Sequence, residues 1–153
     1  CDLGDIKNYI VYFVLLCSFA IHAQETNTKR GYAAEGYDVV AYFDGQAMEG
    51  EKEFTATHKG VKYQFANAKN LQTFQSNPEA FVPQYGGFCA YAVATSGKKV
   101  GINPKSFQIK DGKLYLFYDS IFADTLEKWN EEGPTLLQTK ADENWEKIAM
   151  KKN

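Results

Sequence analysis

One run of apolar residues constrains the fold of this chain more than any other feature. Residues 114–118 read Leu-Tyr-Leu-Phe-Tyr and follow the turn signal Asp111-Gly112. Successive side chains of a strand point to opposite faces, so a strand that is apolar at every position must be covered on both sides. Before the turn, Phe107 and Ile109 alternate with polar residues, and Asp-Gly is typical of a type I′ hairpin turn. We therefore predict a β-hairpin whose second strand lies inside the domain.

A second hairpin is predicted earlier in the chain. In residues 54–58, Phe, Ala and His alternate with two threonines. In residues 61–65, Val, Tyr and Phe alternate with Lys and Gln. Two such runs around a Gly-containing pair, here Lys59-Gly60, indicate two antiparallel strands. A short strand is also expected at residues 39–43, which are apolar and aromatic and end at a turn signal.

Helices are predicted in the remaining segments. Asn67 is a favourable N-cap for a helix that ends at Asn77-Pro78. The other helical segments are residues 88–94, 121–131 and 135–150. Trp129 and Trp145 are expected on the inner faces of the last two. The predicted fold class is α+β, a small antiparallel sheet of β-hairpins with helices packed around it.

The first 23 residues differ in kind from the rest of the chain. Lys7 precedes an apolar run of 12 residues from Tyr9 to Ala20, and a polar segment begins at Gln24. This order is typical of a secretory signal peptide cut after Ala23, and the run is shorter than the roughly 20 residues that span a bilayer. We therefore predict an exported protein, periplasmic or secreted, with no transmembrane segment after removal of the signal peptide.

The predicted division of the chain follows from this leader. Residues 1–23 are the signal peptide, 24–35 a flexible lead-in, and 36–150 a single domain. Anchoring through a lipid on Cys17 is a weaker alternative, because Leu16 stands where a small residue is expected.

Charge and motifs exclude several classes of function. The formal net charge is −2, and basic residues are interspersed with acidic ones. A nucleic-acid binder depends on clustered cations, so we predict no nucleic-acid partner. The sequence has no Gly-x-Ser-x-Gly elbow, no His-Glu-x-x-His motif and no P-loop. It identifies no protein partner.

Removing the leader would leave one cysteine, Cys89, and one histidine, His58. Cys89 is either a small buried residue or a thiol at a helix start, where the dipole favours the thiolate. As a thiolate it would bind copper or zinc, with His58 as a second ligand, or act as a nucleophile. Otherwise His58 is a partly exposed side chain at the end of a hairpin strand.

Further candidate ligand-binding residues accompany this cysteine. Two adjacent glycines permit positive φ or the close approach of another group. Asp38 either orients a ligand or bonds backbone amides at the start of a strand. The tyrosines either frame a pocket or form an aromatic core. The predicted ligand site comprises Asp38, Tyr42, Tyr85, Gly86, Gly87, Cys89 and Tyr91.

Four segments carry a resemblance to a known family. They are Gly-Tyr-Asp-Val-Val-Ala-Tyr-Phe at 36–43, Asn-Pro-Glu-Ala-Phe at 77–81, Gln-Tyr-Gly-Gly-Phe-Cys-Ala-Tyr-Ala at 84–92 and Asp-Gly-Lys-Leu-Tyr-Leu at 111–116. In order and spacing they resemble exported YHS-domain proteins, from about residue 36 to 148. The resemblance implies a YHS-type domain and an association with heavy-metal handling, since related segments occur beside copper-transporting ATPases and within some monooxygenase subunits.

The chain departs from the metal-associated members of that group. Their segments carry a cysteine at the end of a hairpin strand and a second one four residues later. The corresponding positions here are Ala66 and Asn70. Because closed copper or zinc sites need thiolate or imidazole ligands, the family's metal function does not transfer to these positions.

We therefore expect a non-catalytic binding or accessory module that holds a metal ion or small ligand near Cys89. An enzyme is less favoured, in the form of a thiol-dependent redox enzyme with Cys89 as nucleophile. A structural partner-binding domain is the other alternative, and it predicts an exposed aromatic patch and no small ligand.

Overall fold

The fold is built on two separate small β-sheets. The computed structural model describes residues 25–151. The first sheet has the strand order β1-β2-β4-β3, and the second is a hairpin of β5 and β6. The strands are β1 Thr28–Lys29, β2 Tyr32–Ala33, β3 Glu51–His58, β4 Val61–Phe65, β5 Asn103–Lys110 and β6 Lys113–Phe117. The first sheet is mixed because β2 runs parallel to β4, and the predicted single antiparallel sheet is thus replaced by two sheets.

Helices surround these sheets, and the predicted α+β class is confirmed. They are α1 Ala68–Ser76, α2 Ala90–Ser96, α3 Thr125–Glu132 and α4 Pro134–Lys151. Short 3₁₀ turns lie at Ala34–Gly36, Ala41–Asp44, Pro78–Ala80 and Gln84–Gly87. None of the helices between residues 25 and 151 combines the length and the apolar character needed to cross a membrane.

Both predicted hairpins are confirmed, and their turns explain why. Lys59 and Gly60 have φ of 51° and 81°, and Asp111 and Gly112 have φ of 52° and 74°. Two central residues with positive φ define a type I′ turn, whose twist matches that of the flanking strands. The strand pairs close directly at these turns, with His58 opposite Val61 and Lys110 opposite Lys113.

Local capping fixes two helix starts. The Asn67 side chain accepts a hydrogen bond from the N–H of Asn70 at 2.8 Å, as expected for an N-cap. Asp124 accepts one from the N–H of Glu127 at 3.0 Å, so α3 begins at Thr125. The predicted start of this helix at residue 121 is therefore wrong, because residues 118–124 form a loop before the cap.

The structure differs from two other predictions. Residues 39–43 were expected to form a strand, but the segment turns into the 3₁₀ helix Ala41–Asp44. The lead-in predicted over residues 24–35 contributes β1 and β2 where the structure describes it, and Ala33 and Ala34 are buried. Its polar, Gly-containing sequence makes the tight turn between these strands, where Gly31 has a φ of 86°. The signal peptide predicted over residues 1–23 lies outside the described residues.

Strand β6 separates two hydrophobic clusters. Leu114 and Leu116 belong to a first cluster with Tyr42, Tyr63, Phe65 and Phe74. Tyr115 and Phe117 belong to a second cluster with Tyr85, Val93, Trp129, Leu137 and Ala141. The four apolar side chains of β6 are fully buried, so the predicted burial on both faces is confirmed for residues 114–117, whereas Tyr118 lies beyond the strand and is 37% exposed. Trp129 is fully buried as expected, and Trp145 is half-buried against the second cluster.

We predict that Phe117→Ala lowers the free energy of unfolding by about 3–5 kcal/mol, because the side chain is fully buried and packs edge-on against Trp129 at 5.3 Å. Urea unfolding followed by circular dichroism measures this change. Phe122→Ala is the matched control, because Phe122 is 90% exposed and its removal should change stability by less than about 0.5 kcal/mol. Equal effects of the two variants would contradict the two-cluster core.

Candidate functional site

Asp38 is the most constrained polar residue of the predicted site. Its side chain is fully buried. Oδ1 accepts hydrogen bonds from the backbone N–H groups of Val40 at 2.9 Å and Ala41 at 3.1 Å. Oδ2 accepts from the backbone N–H of Ala66 at 2.9 Å and from Nδ2 of Asn70 at 2.8 Å. A carboxylate has about four acceptor positions, so these four bonds use all of its capacity to accept hydrogen bonds.

These bonds tie three segments together. Asp38 opens the turn over residues 39–44, and its partners Ala66 and Asn70 lie just after β4 and in the first turn of α1. Of the two roles considered for Asp38, bonding of backbone amides is confirmed. The element that it starts is a turn rather than a strand, because its bonds to two successive N–H groups curl the chain.

The Gly86-Gly87 turn is occupied by the chain's own N-terminal segment. The backbone N–H of Asn27 donates to the carbonyl oxygen of Gly86 at 2.8 Å, and its side-chain amide donates to that of Gly87 at 3.1 Å. A Cβ on Gly86 would lie 2.6 Å from the carbonyl oxygen of Glu25. Both glycines have positive φ, so the predicted close approach of another group is confirmed, and that group is residues 25–27.

Cys89 stands at the N-cap of α2 and its side chain is fully buried. Its Sγ lies 3.4 Å from Oγ1 of Thr125, and that hydroxyl lies 2.5 Å from the carbonyl oxygen of Tyr118. Because the hydroxyl has one proton and gives it to Tyr118, the thiol is the donor toward Thr125. The structure therefore places Cys89 as a packed residue between α2 and α3.

His58 has partners different from those of Cys89. Its Nε2 lies 2.9 Å from Oε1 of Glu79, and its ring meets Phe74 edge-on at 6.0 Å. Lys59 contacts the same carboxylate oxygen at 2.8 Å. Hydrogen bonds from Lys59 and His58 hold the pKa of Glu79 below its usual value. Between residues 25 and 151, no group of three or more His, Cys, Asp or Glu side chains could hold a metal ion.

Two tyrosines of the predicted site use their hydroxyls inside the protein. Tyr42 donates to the carbonyl oxygen of Pro104 at 2.6 Å, and Tyr85 donates to Oδ1 of Asp142 at 2.8 Å. Burial raises the pKa of both, and the Asp142 carboxylate raises that of Tyr85 further. Tyr91 is half-buried, and its hydrogen bond to Glu132 raises its pKa to about 12.

The predicted site residues lie on both sides of β6. Tyr42 belongs to the first hydrophobic cluster, whereas Tyr85 belongs to the second and Tyr91 packs against it. The structure therefore favours the core role of the tyrosines over the pocket role.

One surface feature was missed because residues 121–131 were predicted as one helix. Ile121 and Phe122 are 93% and 90% exposed at the tip of the loop that precedes α3. Beside α3 lies a shallow depression of about 460 Å³ lined by Asp124, Leu126, Glu127, Asn130 and Glu131. The spacing of Asp124 and Glu127 is typical of a capping box and would have placed the helix start correctly.

Comparison with protein-family models, curated proteins and solved structures found no match to this chain.

We predict that Asp38→Asn lowers the free energy of unfolding by about 3 kcal/mol, because an amide NH₂ would face N–H groups where the carboxylate now accepts. Asn70→Ala removes one of the four bonds and should cost about 1 kcal/mol. The exposed Asp44 provides a control, since Asp44→Asn should leave the urea midpoint unchanged. An Asp38→Asn protein as stable as the wild type would show that these bonds do not hold the segments together.

Stability should fall as the pH rises above 10. Burial raises the pKa of Tyr63 and Tyr115 to about 12, from 10.0 in an exposed tyrosine. The neutral form is therefore favoured in the folded state. Its contribution is complete below the unfolded pKa of 10.0 and is lost as the pH rises towards 12. Urea midpoints measured across this range test the decline.

Tyr115→Phe separates this effect from general alkaline damage. The Tyr115 hydroxyl has no hydrogen-bond partner within the described residues, so phenylalanine should fit without loss at neutral pH. The variant should show a shallower decline above pH 10, the ordinary tyrosine pKa. A decline as steep as in the wild type would assign the pH dependence to other groups.

Proposed function

We propose that this protein is an exported, non-catalytic binding or accessory module of the YHS type. The observation that carries the proposal is the complete burial of Cys89, whose thiol donates to Thr125. A nucleophilic or redox-active thiol must be reached by its substrate. A fully buried, packed thiol does not meet this requirement, which argues against the thiol-dependent enzyme.

The roles of the YHS-like segments support the same proposal. In residues 36–43 the Asp38 carboxylate is used by four hydrogen bonds within the protein. In residues 84–92 the carbonyl groups of Gly86 and Gly87 accept from Asn27. These segments hold the fold together, which supports the proposal that the motif resemblance reflects a YHS-type architecture. Export is proposed from the leader sequence, Lys7 followed by a 12-residue apolar run.

The residues present do not fit a copper or zinc site. At Ala66 and Asn70, where metal-associated YHS segments carry cysteines, the groups in contact with Asp38 are N–H donors. Soft metals need thiolate or imidazole ligands, which these positions lack. Cys89 and His58 are engaged with Thr125 and Glu79. The binding function that we propose therefore does not depend on a metal at these positions.

A partner-binding domain is the specific form of this function that the surface favours. That alternative predicts an exposed aromatic patch, and Phe122, with Ile121 next to it in the sequence, supplies an exposed aromatic side chain at the loop tip. The proposal thus places recognition at the surface near α3 rather than at the thiol.

The reactivity of Cys89 tests the non-catalytic proposal. In the full chain carrying Cys1→Ser and Cys17→Ser, Cys89 is the only thiol. We expect iodoacetamide to alkylate it at least about 100-fold more slowly in the native protein than in urea, because the reaction requires opening of the fold. The same chain with Cys89→Ser and Ser96→Cys gives the reference rate for an exposed thiol on the same helix.

One outcome would contradict the non-catalytic proposal, and another would identify a metal ion as the ligand. A native Cys89 that reacts as fast as the reference thiol would favour the thiol-dependent enzyme. Titration with Zn²⁺ or Cu⁺ tests the predicted ligand site near Cys89. Binding of one equivalent that protects the thiol and is lost in Cys89→Ser would make this a metal-binding protein.

A further inference from the structure

The loop between β6 and α3, residues 118–124, presents two bulky apolar side chains to solvent. Ile121 is 93% exposed and Phe122 is 90% exposed, compared with 69% for Met150 and 56% for Leu136. Scattered apolar side chains are ordinary on a protein surface. Two neighbouring residues that are both almost fully exposed concentrate apolar surface at the tip of one loop, which suits an interaction site.

The loop is held in this shape by its own hydrogen bonds. The backbone N–H of Ser120 donates to the carbonyl oxygen of Ala123 at 2.9 Å, and that of Phe122 donates to Oγ of Ser120 at 3.1 Å. At its base, the N–H and hydroxyl of Thr125 both donate to the carbonyl oxygen of Tyr118, at 3.2 and 2.5 Å. A pre-shaped projection loses less conformational entropy on binding than a disordered one.

Carboxylates border the apolar tip. Asp119 and Asp124 flank it in sequence and are exposed, and residues 114–127 contain no lysine or arginine. Asp124 also lines the depression beside α3, together with Leu126, Glu127 and Glu131. An anionic membrane would be repelled by this charge, whereas a basic partner would be attracted to it.

We propose that the loop 118–124 and the adjoining depression form a docking surface for a partner segment that combines an apolar side chain with lysine or arginine. The partner's apolar side chain packs against Ile121 and Phe122, and its basic side chains lie over the carboxylates of the depression. Aromatic anchors surrounded by polar contacts carry most of the energy in such interfaces. The inference deepens the proposed function by naming the partner chemistry.

A random peptide library displayed on phage and selected against the immobilised full chain tests this inference. We expect the enriched peptides to contain apolar residues next to lysine or arginine, and their affinity to fall as salt is added. Phe122→Ser should weaken their binding about tenfold or more, as expected for an anchor residue. Leu136→Ser is the matched control, because it removes an exposed apolar side chain elsewhere and should leave affinity unchanged.

Neutralising two carboxylates of the depression tests the electrostatic part of the proposal. Glu127→Gln with Glu131→Gln should weaken binding by roughly threefold or more and reduce its salt dependence. Glu53→Gln on β3 removes an exposed carboxylate from the other sheet and serves as its control. Measuring the free energy of unfolding of each variant distinguishes a loss of binding from a loss of folding.

Several outcomes would overturn the proposal. Peptides that bind Phe122→Ser as well as the wild type would place the surface elsewhere, and no enrichment would mean that the loop does not dock such segments. Binding to phosphatidylcholine and phosphatidylglycerol vesicles that requires Phe122 would make the loop a membrane contact. A dimer in sedimentation experiments that requires Phe122 would make the occupant a second copy. Cys89 reactivity is independent of all these outcomes, so the docking inference and the non-catalytic proposal fail separately.

Discussion

The Asp38 carboxylate is the interaction on which the rest of the structure depends. It joins the turn after residue 38 to the end of β4 and the start of α1, where its partners Ala66 and Asn70 lie 28 and 32 positions further along the chain. Burial of a carboxylate is costly unless its oxygens accept hydrogen bonds, so the loss of any of these four bonds should lower the stability of the fold. In this way a charged side chain that suggested a ligand site specifies the packing of the first hydrophobic cluster.

Strand β6 explains why the predicted site residues do not form one pocket. Its alternate side chains face different clusters, so residues that pack against it from opposite sides are kept apart by its backbone. Tyr42 and Tyr85 are in this position. The apolar strand covered on both faces, which the sequence predicts, is therefore also the reason that the predicted ligand site is divided.

The parts of the fold that were predictable are those set by neighbours in the sequence. The type I′ turns at Lys59-Gly60 and Asp111-Gly112 and the Asn67 cap depend on a few adjacent residues. The strand predicted at 39–43 was wrong because Asp38 turns the chain by bonding Val40 and Ala41, and the partners that hold its carboxylate in place lie 28 and 32 positions away. The burial of Cys89 depends on Thr125, which is 36 positions distant, and no local pattern reports such a contact.

The N-terminal segment and the last helix close the structure through contacts over long stretches of chain. Asn27 bonds Gly87 across 60 positions, Tyr85 bonds Asp142 across 57, and Asn144 bonds the carbonyl of Val93 across 51. Contacts of this range make folding slow, since much of the chain must be present before they form. The second cluster is not complete without Leu137 and Ala141 of α4. This dependence suits the export that we propose from the leader sequence, because a chain translocated in the unfolded state would complete its core only after α4 had crossed the membrane.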